Sequence, residues 1–97
     1  MYGTIAHARV KPGMKEQFLA FLQEQREVEK DPGEVAEYLY RMDADPSIFY
    51  LVAVFESKAA YVANAQRPET DAYYRRVREY FDGEPEWHDG EIVSALT

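Results

Sequence analysis

Ile48-Phe49-Tyr50-Leu51-Val52-Ala53-Val54-Phe55 is an unbroken apolar run of eight residues. A strand with one wet face alternates apolar and polar side chains, and this one does not. Ile48, Tyr50, Val52 and Val54 point one way; Phe49, Leu51, Ala53 and Phe55 point the other. Both faces of the sheet around this strand therefore need cover. Immediately upstream, Asp43-Ala44-Asp45-Pro46-Ser47 is a turn of hairpin length, so Val35 to Met42 is predicted to lie antiparallel to the run. Glu37 and Arg41 share a face of that second strand, the mark of a partly wet edge.

The rest of the chain supplies two more strands and helical cover. Tyr2 to Val10 alternates Thr4, Ala6, Ala8 and Val10 against Ile5, His7 and Arg9. After Pro12-Gly13, a helix is predicted to about Lys30, with Met14, Phe18, Phe21, Leu22 and Val28 as one stripe, and Asp31-Pro32-Gly33 stops it. Ser57 can cap a short helix through about Gln66, and Pro68 restarts a second piece that runs to Phe81. Tyr73, Val77, Tyr80 and Phe81 form the stripe of that piece, and Gly83 ends it. A last strand is expected from about Glu86 to Leu96, with Asp89-Gly90 as a bulge or tight turn. The order β-α-β-β-α-β with right-handed crossovers gives the ferredoxin-like plait, an α+β fold with a four-stranded antiparallel sheet. Its first and third strands are central, and both helical segments cover one face. The other face is left apolar, and exposed apolar patches beyond a few hundred Å² usually mark an interface. Two copies packed through this face make a homodimer, a dimeric α+β barrel.

Ninety-seven residues make one domain, residues 1–97. The net charge of −7 argues against nucleic acid, whose phosphates need a basic face. There is no cysteine, so no disulfide frame, thiolate nucleophile or Cys-bound metal. No segment reads as a secretion signal or reaches the roughly 20 apolar residues of a bilayer span, so no membrane contact and a cytoplasmic location are expected. Aromatics are 14% of the chain, which fits a stacked core, an interface or a pocket for flat ligands alike.

His7 is the best general-base candidate by residue type, since an unperturbed imidazole titrates near pH 6.5. The alternative is a core or interface histidine bonded to a backbone carbonyl. His88-Asp89 looks like an oriented base, but adjacent strand residues face opposite sides, which favours a solvated histidine on an edge strand. His7 and His88 sit on strands expected to be neighbours, and with Glu86 they complete a non-haem iron triad on paper. Arg75, Arg76 and Arg78 read as a solvated helix face. Arg41 fits an ion pair with Glu37, or an acidic ligand.

Val10-Lys11-Pro12-Gly13-Met14-Lys15-Glu16-Gln17-Phe18 and Phe49-Tyr50-Leu51-Val52-Ala53-Val54-Phe55-Glu56-Ser57-Lys58-Ala59-Ala60-Tyr61 carry a resemblance over nearly the whole chain. The sequence resembles the antibiotic biosynthesis monooxygenase family of dimeric α+β barrels. The resemblance implies a site in the cleft between the sheet and the Ser57–Phe81 helical region. Cofactor-free oxygenases of the family use an Asn in the short helix, a Trp four positions on and a Tyr six further. Asn64 and Tyr74 match that spacing, while Pro68 stands in place of the Trp. The haem-degrading branch has an Asn, a Trp and a His where this chain reads His7, Asn64 and Tyr74, so haem is not implied. From residue chemistry alone, Asn64 reads as a helix-end residue bonding nearby backbone, and Tyr74 as an aromatic covering the sheet.

The function implied is oxidation by O2, without a bound cofactor, of an electron-rich aromatic such as a phenol, quinol or polyketide-like ring system. His7 is then the base, Asn64 and Tyr74 are hydrogen-bond donors, and Tyr50, Phe55 and Trp87 are wall residues. Two alternatives stand beside it: a dimeric small-ligand-binding protein with Asn64 and His7 satisfied internally, and a cofactor-free isomerase using the same base.

Overall fold

The eight apolar residues of the opening run form the strand Ile48–Phe55 without a residue to spare at either end. The computed structural model describes residues 1–26 and 31–97. Along the chain it contains β1 (Tyr2–Arg9), α1 (Lys15–Arg26), β2 (Glu34–Arg41), β3 (Ile48–Phe55), α2 (Lys58–Ala65), α3 (Pro68–Arg78) and β4 (Glu86–Glu91). The sheet order is β2-β3-β1-β4, all neighbours antiparallel, so β3 and β1 are central and the polar-faced β2 is an edge. This is the ferredoxin-like α+β plait. The predicted continuation of α1 to Lys30, and Val28 on its stripe, lie outside the described residues.

Local chemistry sets the element ends. The Ser57 hydroxyl accepts the Ala60 amide at 3.1 Å and so caps α2. Pro68 opens α3 in its first turn, where its missing N–H leaves no helical bond unmade. Gly33 takes a φ of 78° in the turn into β2, and a Cβ there would press on Ala60 of α2. That glycine serves both a left-handed backbone and a close helix approach.

Three details depart from the sequence reading. β4 stops at Glu91, not near Leu96: Tyr2, the first residue of β1, pairs Glu91, and beyond that pair the Ile92 amide donates to the Met1 carbonyl. Asp89 and Gly90 stay in regular register with Thr4 and Gly3, so neither a bulge nor a turn occurs there. The register shift falls instead between Glu34 and Ala36 of β2. Nor do Glu37 and Arg41 form an ion pair among the described residues; the arginine that ties the hairpin turn is Arg9, 3.1 Å from Asp45. That contact and the Ser47 amide hold the Asp45 carboxyl below its ordinary range, the amide bond contributing most.

The core lies on the helix side of the sheet. Phe18 and Phe21 of α1, Phe49 of β3, Ala8 and Val10 of the first strand region, and Val77 and Phe81 near the end of α3 are buried together. Phe18 meets Phe49 and Phe81 edge-on at 5.2 and 5.6 Å, and Phe21 stacks on Tyr73 at 5.6 Å. The opposite face is apolar and open. Ile5, Val52 and Tyr38 form one cross-strand row on it, and His7, Tyr50 and Tyr40 the next. Ile5, Tyr38 and Tyr40 are 50%, 57% and 53% exposed. No described helix is long and apolar enough to cross a membrane.

Candidate functional site

The register decides where a cavity can exist. On the helix side, paired positions of β1 and β3 read Tyr2–Phe55, Thr4–Ala53, Ala6–Leu51 and Ala8–Phe49. Aromatics therefore stand at the two ends of the central ladder, and small residues lie between them. At one end, Tyr61 of α2 rests on Tyr2 and Phe55, each ring 5.4 Å away. At the other, the Phe18–Phe49–Phe81 cluster carries α1 and the end of α3. The helices are propped off the sheet at both ends, and Thr4, Ala6 and Ala53 are too short to fill the gap.

The result is a cavity of about 450 Å³, walled by Leu22, Leu39, Leu51, Phe55, Tyr61, Tyr73, Tyr74, Val77 and Trp87. Its size and apolar lining suit a drug-sized organic ligand. Polar groups reach it at a few places. Thr4 lies on its floor, Tyr61 and Asn64 come from α2, and Thr70 and Asp71 from α3. Asp31, Glu34 and Glu37 bring carboxylates from the β2 side.

The expected site residues divide by strand parity. Asn64, Tyr74, Phe55 and Trp87 all line the cavity. Tyr74 and Trp87 are brought together, with ring centroids 5.8 Å apart. His7 and Tyr50 pair across β1 and β3 on the other face, their rings edge-on at 5.1 Å. The expectation of His7 as base and Tyr50 as wall in this cleft is corrected accordingly, because both sit on strand positions whose side chains point away from the helices. The sequence reading had these faces right; it did not say which one the helices cover.

Asn64 is buried, 7% exposed, and its amide is used in full view of the α2–α3 elbow. Its Nδ2 donates to Asp31 at 3.3 Å, and its Oδ1 accepts from Arg67 at 3.2 Å and from Thr70 at 3.3 Å. Arg67 also lies 3.5 Å from Asp31. This is the internally satisfied arrangement, and it pins the turn between the two helices to the segment before β2.

Among the carboxylates, Asp31 is engaged with Asn64 and Arg67, and Asp71 pairs with Arg75 at 3.0 Å. Glu37 makes no hydrogen bond or ion pair among the described residues. It stands in register with Ala53, which pairs Thr4, which pairs Asp89, so one row crosses the sheet as Glu37–Ala53–Thr4–Asp89. The sequence placed Glu37 on a face with Leu39, and that was the available signal for a cavity carboxylate.

At the β4 end of this row the Tyr61 hydroxyl donates to Asp89 at 2.9 Å. Burial, then the Asp89 bond, pushes the phenol up to about 12, partly offset by the nearby Thr4 hydroxyl. Tyr61 is therefore a neutral donor at any working pH, committed to Asp89. His88 faces the other way and lies 3.6 Å from Glu86. The paper triad of His7, His88 and Glu86 does not assemble: no group of three His, Cys, Asp or Glu able to hold a metal ion exists among the described residues.

The model of the antibiotic biosynthesis monooxygenase family matches residues 1–76. Solved structures of similar shape include a candidate antibiotic biosynthesis monooxygenase from Bordetella bronchiseptica, 24% identical with a TM-score of 0.82 over 96% of this chain and 97% of that one. Another, from Chloroflexus aurantiacus, is 22% identical with a TM-score of 0.79, covering 99% and 96%. SnoaB, a cofactor-independent oxygenase from Streptomyces nogalater, solved with an asparagine-to-alanine substitution, is 14% identical with a TM-score of 0.82, covering 98% and 95%. At these identities the likeness is one of fold. No curated protein matches the chain.

Proposed function

Because the chain belongs to the antibiotic biosynthesis monooxygenase family, we propose that it is a homodimeric, cofactor-independent oxygenase of an electron-rich aromatic substrate. The observation that carries this reading is the aromatic-walled cavity of about 450 Å³ with a carboxylate on its border, Glu37, that has no partner among the described residues. An acidic aromatic, once deprotonated, reduces O2 by itself. The protein has to bind the ring, accept a proton and keep bulk water away from the anion. The likeness of fold to a cofactor-independent oxygenase supports the same chemistry.

In this scheme a ring ketone with an acidic CH2 loses a proton to Glu37. The carbanion passes one electron to O2, and the radical and superoxide then join in a C–O bond. The peroxide anion takes a proton to become a hydroperoxide. A second C–H proton then leaves as the O–O bond breaks, releasing water and a second ketone. One O2 is consumed and one water formed per substrate. Tyr74 and Trp87 stack on the ring, and Phe55 closes the Tyr61 end. Glu37 takes the base role first expected of His7, and His7 belongs to the dimer face.

The engaged amide of Asn64 favours a second reading, a ligand-binding protein without turnover. Oxygen uptake with a panel of anthrones and quinols separates the two. Under the oxygenase reading, Glu37→Gln lowers turnover by about 10²-fold or more, the usual size of a lost proton acceptor, with folding intact. Tight binding of the same compounds with no uptake by the unaltered protein moves the assignment to the second reading.

A further inference from the structure

Among the described residues, every formally charged side chain that borders the cavity is a carboxylate: Asp31, Glu34, Glu37 and Asp71 line it, and no lysine, arginine or histidine does. Three of the four are engaged. Asp31 faces Arg67 at 3.5 Å, Asp71 faces Arg75 at 3.0 Å, and Glu34 is not free. Glu37 has no partner among the described residues. It is half-buried on β2, in register with Ala53 of the floor, on the face that the helices cover. A charge beside apolar walls is felt more strongly than one in bulk water.

We infer that Glu37 sets the charge of the ligand: the cavity takes ring compounds that arrive neutral and turns away those that carry a carboxylate. A second anion beside Glu37 finds no cation on the described lining, since Arg67 and Arg75 are already paired with Asp31 and Asp71. Two like charges held together and partly out of water disfavour one another, whereas a neutral ring meets no such penalty. The inference rests on the proposed site and narrows its substrate class. It also agrees with the proton count of the proposed reaction. A neutral ring acid that yields its proton to Glu37 leaves one negative charge in the pair before and after, moved from the carboxylate to the ring. A ligand that enters as a carboxylate would raise that charge to two.

The test is anaerobic calorimetry of 1-acetonaphthone and 1-naphthoate with the full chain at about pH 7.5, where a carboxylic acid is ionised. The two probes share a ring and a flat three-atom head group and differ in charge, and neither needs turnover. The unaltered protein is expected to bind the ketone and to bind naphthoate at least about tenfold more weakly. Burying a carboxylate against apolar walls weakens naphthoate by itself, so the variants decide. Glu37→Gln is expected to raise naphthoate affinity about tenfold, the size of a close, half-buried charge contact, and to leave the ketone within about twofold. Glu37→Asp keeps the charge and is expected to keep the discrimination. Naphthoate bound as tightly as the ketone, no binding of the ketone, or a Glu37→Gln protein with an unchanged affinity ratio each overturns the assignment. Discrimination that holds in a protein with no oxygen uptake would remove the proposed reaction and leave this selection standing; uptake without discrimination would do the reverse.

Discussion

Replacing Asn64 with Ala separates a structural amide from a catalytic one. The substitution removes a donor to Asp31 and an acceptor shared by Arg67 and Thr70, at 3.3, 3.2 and 3.3 Å. A typical net hydrogen bond contributes about 0.5–1.5 kcal/mol, and these lengths place each near the lower end. Asp31 and Arg67 keep 45% and 34% of their side chains in solvent, so water replaces much of what they lose. The expected cost is about 1.5–2.5 kcal/mol, most of it from Thr70 and from the space left by the buried amide. For a domain of this size that is roughly 6–20 °C in melting temperature. Urea unfolding followed by far-UV circular dichroism, at one fixed protein concentration because association shifts apparent stability, reads it directly. The midpoint should fall with little change in slope. A loss below about 0.5 kcal/mol, within the range of an ordinary surface change, would refute the view that this amide locks the α2–α3 elbow.

Other consequences are as specific. Val52→Glu puts a charge in the middle of the open-face row formed with Ile5 and Tyr38; sedimentation velocity should show a dimer become a folded monomer, and an unchanged dimer would remove that face from the interface. The Tyr61 phenol, held up to about 12 against an ordinary 10.0, keeps its proton more firmly folded than unfolded. Its contribution to stability is complete below pH 10 and disappears as the pH rises from about 10 through about 12. Asp89→Asn should move its titration, followed by ultraviolet absorbance, part of the way back down, burial accounting for the remainder. Gly33→Ala strains a backbone at φ 78° and presses on Ala60, so it should cost about 1–3 kcal/mol; a neutral change in thermal unfolding would contradict that packing.

Much of the architecture was legible in the sequence because period and punctuation are local. The β3 run, the Ser57 cap and Pro68 at the start of α3 each announce themselves within a few residues. Strand parity also told which residues travel together. It did not say which face the helices would take, and that alone separated Phe55 and Trp87, which border the cavity, from His7 and Tyr50, which do not. Nor does a local pattern contain the cross-strand register. The row Glu37–Ala53–Thr4–Asp89 joins four strands, and only their alignment turns an edge glutamate into a cavity carboxylate. The end of β4 was misjudged for the same reason, since its length depends on where β1 begins.

The most direct test of oxygenation within this cavity is turnover of anthrone under ¹⁸O2 by chelator-dialysed protein, with products read by mass spectrometry. The account predicts anthraquinone carrying one labelled oxygen, the second label in water, and a rate that collapses in Glu37→Gln. Unlabelled product, or a rate no faster than buffer alone, would contradict it.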